Sequence, residues 1–144
     1  MDDRLVALAS GTLATAVMVL VLYAIDAGSD YQFLAYESLA SLFGTSATVG
    51  LVLFVASGVV VWPLVFLVIG QHLAPDSEVV RGIVLTELLW IAFLVAFIPI
   101  ADVWNMLYFV VASVISHLVY GAVLGFAFGR LGGSHREVRR HWPG

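Results

Sequence analysis

The chain has 144 residues, 62% hydrophobic and 11% charged, with a formal net charge of −4. Its mean hydropathy of +1.05 is more than a soluble domain carries, so lipid is the expected solvent. There is no cysteine and all six basic residues are arginine, which excludes disulfides, thiolate metal sites, iron–sulfur clusters, cysteine nucleophiles and lysine Schiff bases.

Four apolar runs follow in order, at about 5–25, 48–71, 78–100 and 103–129. Each reaches the roughly 20 residues that a helix needs to cross the hydrocarbon. They lack the polar face of a soluble bundle. The expected fold is therefore an all-α membrane protein, an up-down bundle of four transmembrane helices over residues 1–130. Residues 131–144 form a basic cytoplasmic tail, mobile or lying on anionic headgroups. The acidic start Met1-Asp2-Asp3-Arg4 and the long run after it read as a first span, not as a signal peptide.

Between the first two runs, Ser29 or Asp30 can cap a helix. Phe33, Leu34, Leu39, Leu42 and Phe43 then fall near helical spacing, and Gly44 offers an end. This predicts a short amphipathic helix over 31–43 at the outer interface. Tyr23, Tyr31, Tyr36, Trp104 and Tyr108 are placed for an aromatic belt on the same side.

The second run is broken by Trp62-Pro63. Proline has no N–H, so a kink is expected there, with the carbonyl of Val59 released. Pro75-Asp76-Ser77-Glu78 opens the third run, and the turn at Ile100 to Val103 opens the fourth. Short connections predict antiparallel neighbours, second beside third and third beside fourth. With four spans, all the arginines fall on one side and Asp26, Asp30, Glu37 and Asp102 on the other. Arginine bias then puts both termini of a multi-pass cell-membrane protein in the cytoplasm.

An internal repeat is visible. Phe54-Val55-Ala56-Ser57 resembles Val110-Val111-Ala112-Ser113, and Gly11-Thr12-Leu13-Ala14-Thr15 resembles Gly82-Ile83-Val84-Leu85-Thr86. Two parallel hairpins would be related by an axis along the membrane normal.

The fourth run carries a ridge of Ser113, His117, Gly121, Gly125 and Gly129, each four residues from the next. Gly121, Gly125 and Gly129 read as a helix-packing seam. His117 is an intramembrane imidazole, and such groups face protein or water. It reads as a proton relay or haem ligand, or as a neutral side chain bonded to a neighbouring helix. It is expected to pack against the first or second span. Glu87 is the acid within a span, about 10 Å below His117 at roughly 1.5 Å per residue. It reads as a proton or cation site, or as a neutral acid joining two helices. Tyr120 and Ser113 complete the candidate intramembrane polar site, with Pro63 as the kink.

No catalytic constellation and no metal site is expected, since there is no HExxH, carboxylate pair or phosphate loop. No cofactor and no nucleic acid is implied. The bilayer is the partner, with a homo-oligomer or a larger membrane complex as the assembly. The leading reading is a non-enzymatic auxiliary or self-assembling bundle component. Alternatives are a small proton-coupled transporter or channel using Glu87 and His117, and a b-type haem protein with His117 as ligand.

Four stretches carry a resemblance: Gly11 to Met18, Ser41-Leu42-Phe43-Gly44, Arg81-Gly82-Ile83-Val84 and Ser116 to Gly125. With them the chain resembles a group of uncharacterised small four-helix membrane proteins common in haloarchaea. That resemblance implies the same fold and membrane location and no established activity. It agrees with the use of arginine in place of lysine. Members often carry a further histidine in the second helix, where this chain has Leu53-Phe54-Val55.

Overall fold

A computed structural model describes residues 2–29, 35–73, 76–97 and 103–141, and among these every regular element is helical. Helix α1, Asp3–Ala27, starts at Asp2, whose carboxylate accepts from the Arg4 amide at 3.0 Å. Helix α2, Ala35–Leu42, ends where Gly44 turns to a φ of 62°. The Thr45 amide there reaches the Ala40 carbonyl and the Gly44 amide reaches that of Ser41, the two bonds of a Schellman stop. Residues 31–34 of the expected interfacial helix, and Asp30, lie outside the described residues.

The second long helix is continuous but not uniform. It runs as α3, Ala47–Ala56, then a π segment, Ser57–Val61, then α4, Trp62–Ile69. Ser46 caps α3 by accepting from the Val49 amide. A single 3-10 turn, Gly70–His72, follows α4. Its end is held by Arg81, whose Nε donates to the Leu73 carbonyl at 2.9 Å. Arg81 also pairs with Glu78 and Asp76.

Helix α5 spans Glu78–Phe97, and Ser77 accepts at its start from the Arg81 amide. Pro75, Pro99, Ile100 and Asp102 lie outside the described residues. Helix α6 spans Val103–His141. The backbone expected to leave the bundle as a tail from Leu131 continues this helix. At about 1.5 Å per residue it is far longer than a membrane is thick.

Among the described residues three helices are long and apolar enough to cross a membrane: Asp3–Ala27, Ala47–Ile69 and Met106–Gly132. Helix α5 is the shortest of the four long helices and carries Glu78, Arg81 and Glu87 within its 20 residues.

Packing follows the small residues. In lipid the association of helices rests on close contact and hydrogen bonds, because tails are as apolar as Leu. Helix α6 lies between α5 on one flank and α1 on the other, and the π segment and α4 lie against α1. The α5–α6 seam is made by Gly82, Gly121 and Gly125. A Cβ on Gly82 would sit 2.2 Å from the Gly121 carbonyl oxygen, and one on Gly125 would sit 2.1 Å from that of Glu78. Gly129 has its nearest neighbour at 3.5 Å, an ordinary contact, so that end of the ridge does not require glycine.

A second seam joins α1 to the kinked helix. A Cβ on Gly11 would lie 2.1 Å from Pro63 Cγ, and one on Gly58 would lie 2.5 Å from Thr15 Oγ1. Each half of the molecule thus uses a glycine and a threonine four residues apart against a glycine of the next helix. These residues belong to Gly11–Thr15 and Gly82–Thr86, the segments that resemble each other in sequence.

The expected pairing of the second and third spans differs. The kinked helix meets α5 mainly at the Gly70–His72 turn, and above it the two separate. Helix α2 packs on α3, where Gly50 lets the backbone around Tyr36 and Ala40 come close. The ends of the bundle are chemically distinct. Gly132 lies against Val6 at one end, near Arg4 and Arg130, while Tyr108 donates to the Asp26 carboxylate at the other.

Candidate functional site

Where the kinked helix and α5 separate, a cavity of about 160 Å³ remains. Met18 and Leu22 of α1 and Ser116, His117 and Tyr120 of α6 line it. Phe54, Ser57, Gly58 and Trp62 line it from the kinked helix, and Thr86, Leu89 and Phe93 from α5. Leu39 of α2 closes one edge. No lining residue is charged. The cavity equals in size an apolar hole that admits a benzene ring, about 150 Å³.

The π segment explains how the cavity is braced. The Trp62 amide bonds the Ser57 carbonyl, five residues back instead of four. The next residue, Pro63, has no N–H to give. The Gly58 carbonyl is therefore released from its own helix, and the Tyr120 hydroxyl donates to it at 2.6 Å. The proline was expected to release Val59. The π register moves the carbonyl that reaches another helix to Gly58. Such π turns recur at functional sites, and here one couples the kinked helix to α6.

On the α5 side Thr86 plays the corresponding part. Its hydroxyl lies 3.0 Å from the His117 carbonyl oxygen, and 3.0 and 3.1 Å from those of Gly82 and Ile83. Its one proton has three acceptors, so it is bound in every arrangement. Thr15, its counterpart in the α1 seam, has a buried Oγ1 without a hydrogen-bond partner.

His117 itself is oriented from within α6. Its Nδ1 lies 2.8 Å from the Ser113 carbonyl oxygen, which can only accept. Nδ1 therefore carries the proton, and in the neutral ring Nε2 is a lone-pair acceptor. Nε2 has no hydrogen-bond partner among the described residues. The ring packs on Phe93 of α5, with centroids 5.6 Å apart. The expectation that His117 packs against the first or second span is thus corrected: its ring contact is on α5, and α1 and the kinked helix face it across the cavity.

The sequence-level site is only partly assembled. His117 and Tyr120 line the cavity, and Ser113 stands behind it. Its hydroxyl accepts from Trp90 Nε1 at 2.9 Å and donates to the Val110 carbonyl at 3.1 Å. Glu87 is not among the lining residues; its Oε1 is buried with no hydrogen-bond partner. Its neighbour Thr86 faces the cavity instead, because successive residues on a helix point about 100° apart. Gly58 and Trp62 were not identified from sequence as site residues. The signal was the proline beside them, since a released carbonyl needs a donor.

The residues present do not fit a haem. The cavity takes one small ring, a macrocycle is several times larger, and His117 is the one histidine lining it. No group of three or more metal-binding side chains occurs among the described residues.

Fold and site together define a protein that is all-helical among the described residues, with three helices there long and apolar enough to cross a membrane, and with an uncharged cavity lined by one imidazole. Residues 1–138 match the model of DUF6789, a family of unknown function, and the chain belongs to that family. No curated protein and no solved structure matches it.

Proposed function

We propose that this is a four-pass protein of the cell membrane that acts without catalysis, as an auxiliary component binding a small uncharged ligand between its helices. Helix α5 is the fourth span. Its charges Glu78 and Arg81 sit in the first turn, at the arginine end, and 20 residues at about 1.5 Å each match the hydrocarbon thickness. Arg4, Arg81 and Arg130 share that end, which is the cytoplasmic one by arginine bias.

The cavity carries the binding reading. Two glycine seams pull two helix pairs into backbone contact, yet the kinked helix and α5 are left apart around uncharged space. The transporter reading needs Glu87 and His117 on one path, and it is weakened by the place of Glu87 outside the lining.

Two experiments test this. The chain has no cysteine, so single cysteines at positions 4 and 44 report sidedness by impermeant labelling of oriented vesicles. They are expected to label from opposite faces, and labelling from one face refutes the four-pass topology. For binding, purified protein in detergent is expected to take up toluene at one site per chain. Leu89→Trp, which fills the cavity, is expected to abolish that uptake. Uptake absent from the native protein, or unchanged in the variant, refutes the binding role.

A further inference from the structure

We propose that the cavity recognises a hydroxylated aromatic ring, a phenol, whose O–H donates to Nε2 of His117. This rests on the ligand-binding reading and specifies the chemistry of the ligand.

Size sets the first limit. A cavity of about 160 Å³ admits one six-membered ring and little more. Its walls set the second. Phe54, Trp62 and Phe93 offer flat apolar faces, and rings pair with rings in offset or edge-on contact.

Charge sets the third limit. With no ionisable partner beyond the imidazole, a carboxylate or ammonium would be desolvated without a counter-ion. The ligand is neutral.

Hydrogen-bond polarity sets the fourth. The Ser113 carbonyl holds the His117 proton on Nδ1, so Nε2 offers a lone pair and asks for a donor. The other α6 hydroxyls already donate to backbone: Ser116 to Ala112 at 2.5 Å, and Tyr120 to Gly58. No protein group supplies the missing donor among the described residues. The Ser57 hydroxyl across the cavity likewise has no hydrogen bond there. A phenol can give its proton to His117 and accept from Ser57. A quinone carbonyl or an ether could accept but could not satisfy Nε2.

A chain at the para position of the ring would leave the cavity between the kinked helix and α5, which meet mainly at the Gly70–His72 turn. The phenol can therefore come from a membrane lipid or from a free small molecule.

The test compares 4-decylphenol, decylbenzene and phenol binding to the purified full chain in one detergent. The 15N signal of the His117 side chain is followed in the same titrations. 4-Decylphenol is expected to bind about threefold to tenfold tighter than decylbenzene, the worth of one hydrogen bond, and to move the Nε2 signal upfield. His117→Phe is expected to remove that preference. Equal affinity of the native protein for both decyl compounds overturns the phenol proposal while leaving the binding reading intact. Loss of all binding overturns both. Phenol binding with an unmoved Nε2 signal overturns the role of His117, even if the variant fails to fold. A gain in affinity from the decyl tail over phenol assigns a lipid source. No gain assigns a free phenol. Either of these supports the recognition proposed.

Discussion

The Tyr120 hydroxyl donates to the Gly58 carbonyl across two helices, 62 residues apart in sequence, at 2.6 Å. The bond exists because a proline two turns from the end of the kinked helix removes a donor and a π turn shifts the register. It converts a defect in one helix into a tie to another.

Breaking that tie from the α6 side leaves a buried carbonyl unsatisfied. Tyr120→Phe is expected to cost about 1–3 kcal/mol in reversible unfolding by SDS titration in mixed micelles. Pro63→Ala restores an N–H to the kinked helix, so Tyr120→Phe should cost less in that background. A double-mutant cycle with no coupling between positions 63 and 120 would show that the proline does not create the acceptor.

The α5–α6 seam predicts an ordered response to alanine. At Gly121 a Cβ would lie 2.1 Å from Thr86 Oγ1 and 2.6 Å from the Gly82 carbonyl oxygen. Gly121→Ala must separate the helices and is expected to cost about 1–3 kcal/mol. Gly129→Ala meets nothing closer than 3.5 Å and is expected to stay within about 0.5 kcal/mol of the native protein. Equal effects at the two positions in thermal unfolding would show that backbone contact does not set the seam.

The two threonines are expected to behave in opposite ways. Thr86→Val deletes the hydroxyl that reaches the His117 carbonyl and should cost about 1 kcal/mol, near the upper range of interhelical bonds in membranes. Thr15→Val removes a buried oxygen that has no partner and keeps the shape of the side chain, so stability should be unchanged or raised. Unfolding of both variants in the same detergent gives the comparison, and a larger loss at Thr15 contradicts it.

Glu87 gives the fourth prediction. Its Oε1 is buried without a hydrogen bond and lies off the cavity lining. Glu87→Leu is expected to preserve ligand uptake and to leave stability equal or higher. A pH-gradient-driven flux in liposomes that Glu87→Gln abolishes would instead restore the transporter reading.

Much of the architecture was legible in the order of residues. Apolar runs of about 20 residues fixed the existence of helices, since no other open structure satisfies its backbone in lipid. Gly44 announced the end of α2, and Gly121 and Gly125 announced the α5–α6 seam, while the α1 seam at Gly11 and Gly58 was not read from the sequence. Helix limits shifted by a few residues, and α6 ran on past Leu131, because helix ends depend on neighbours as much as on sequence.

Composition and residue order alone pointed to lipid as the solvent and gave the helical class, the inventory that excludes thiol and lysine chemistry, and the His117–Gly125 face. Tertiary structure alone decided what that face does. It set Gly121 and Gly125 against α5 and turned Thr86, not Glu87, toward His117. It moved the released carbonyl from Val59 to Gly58, and it held the kinked helix away from α5 to leave the cavity. The physical reason is that hydropathy reports transfer to lipid and is nearly the same all around each of these helices. Which flank meets a neighbour is set by backbone approach and by single hydrogen bonds, and these exist only between residues that are far apart in the chain.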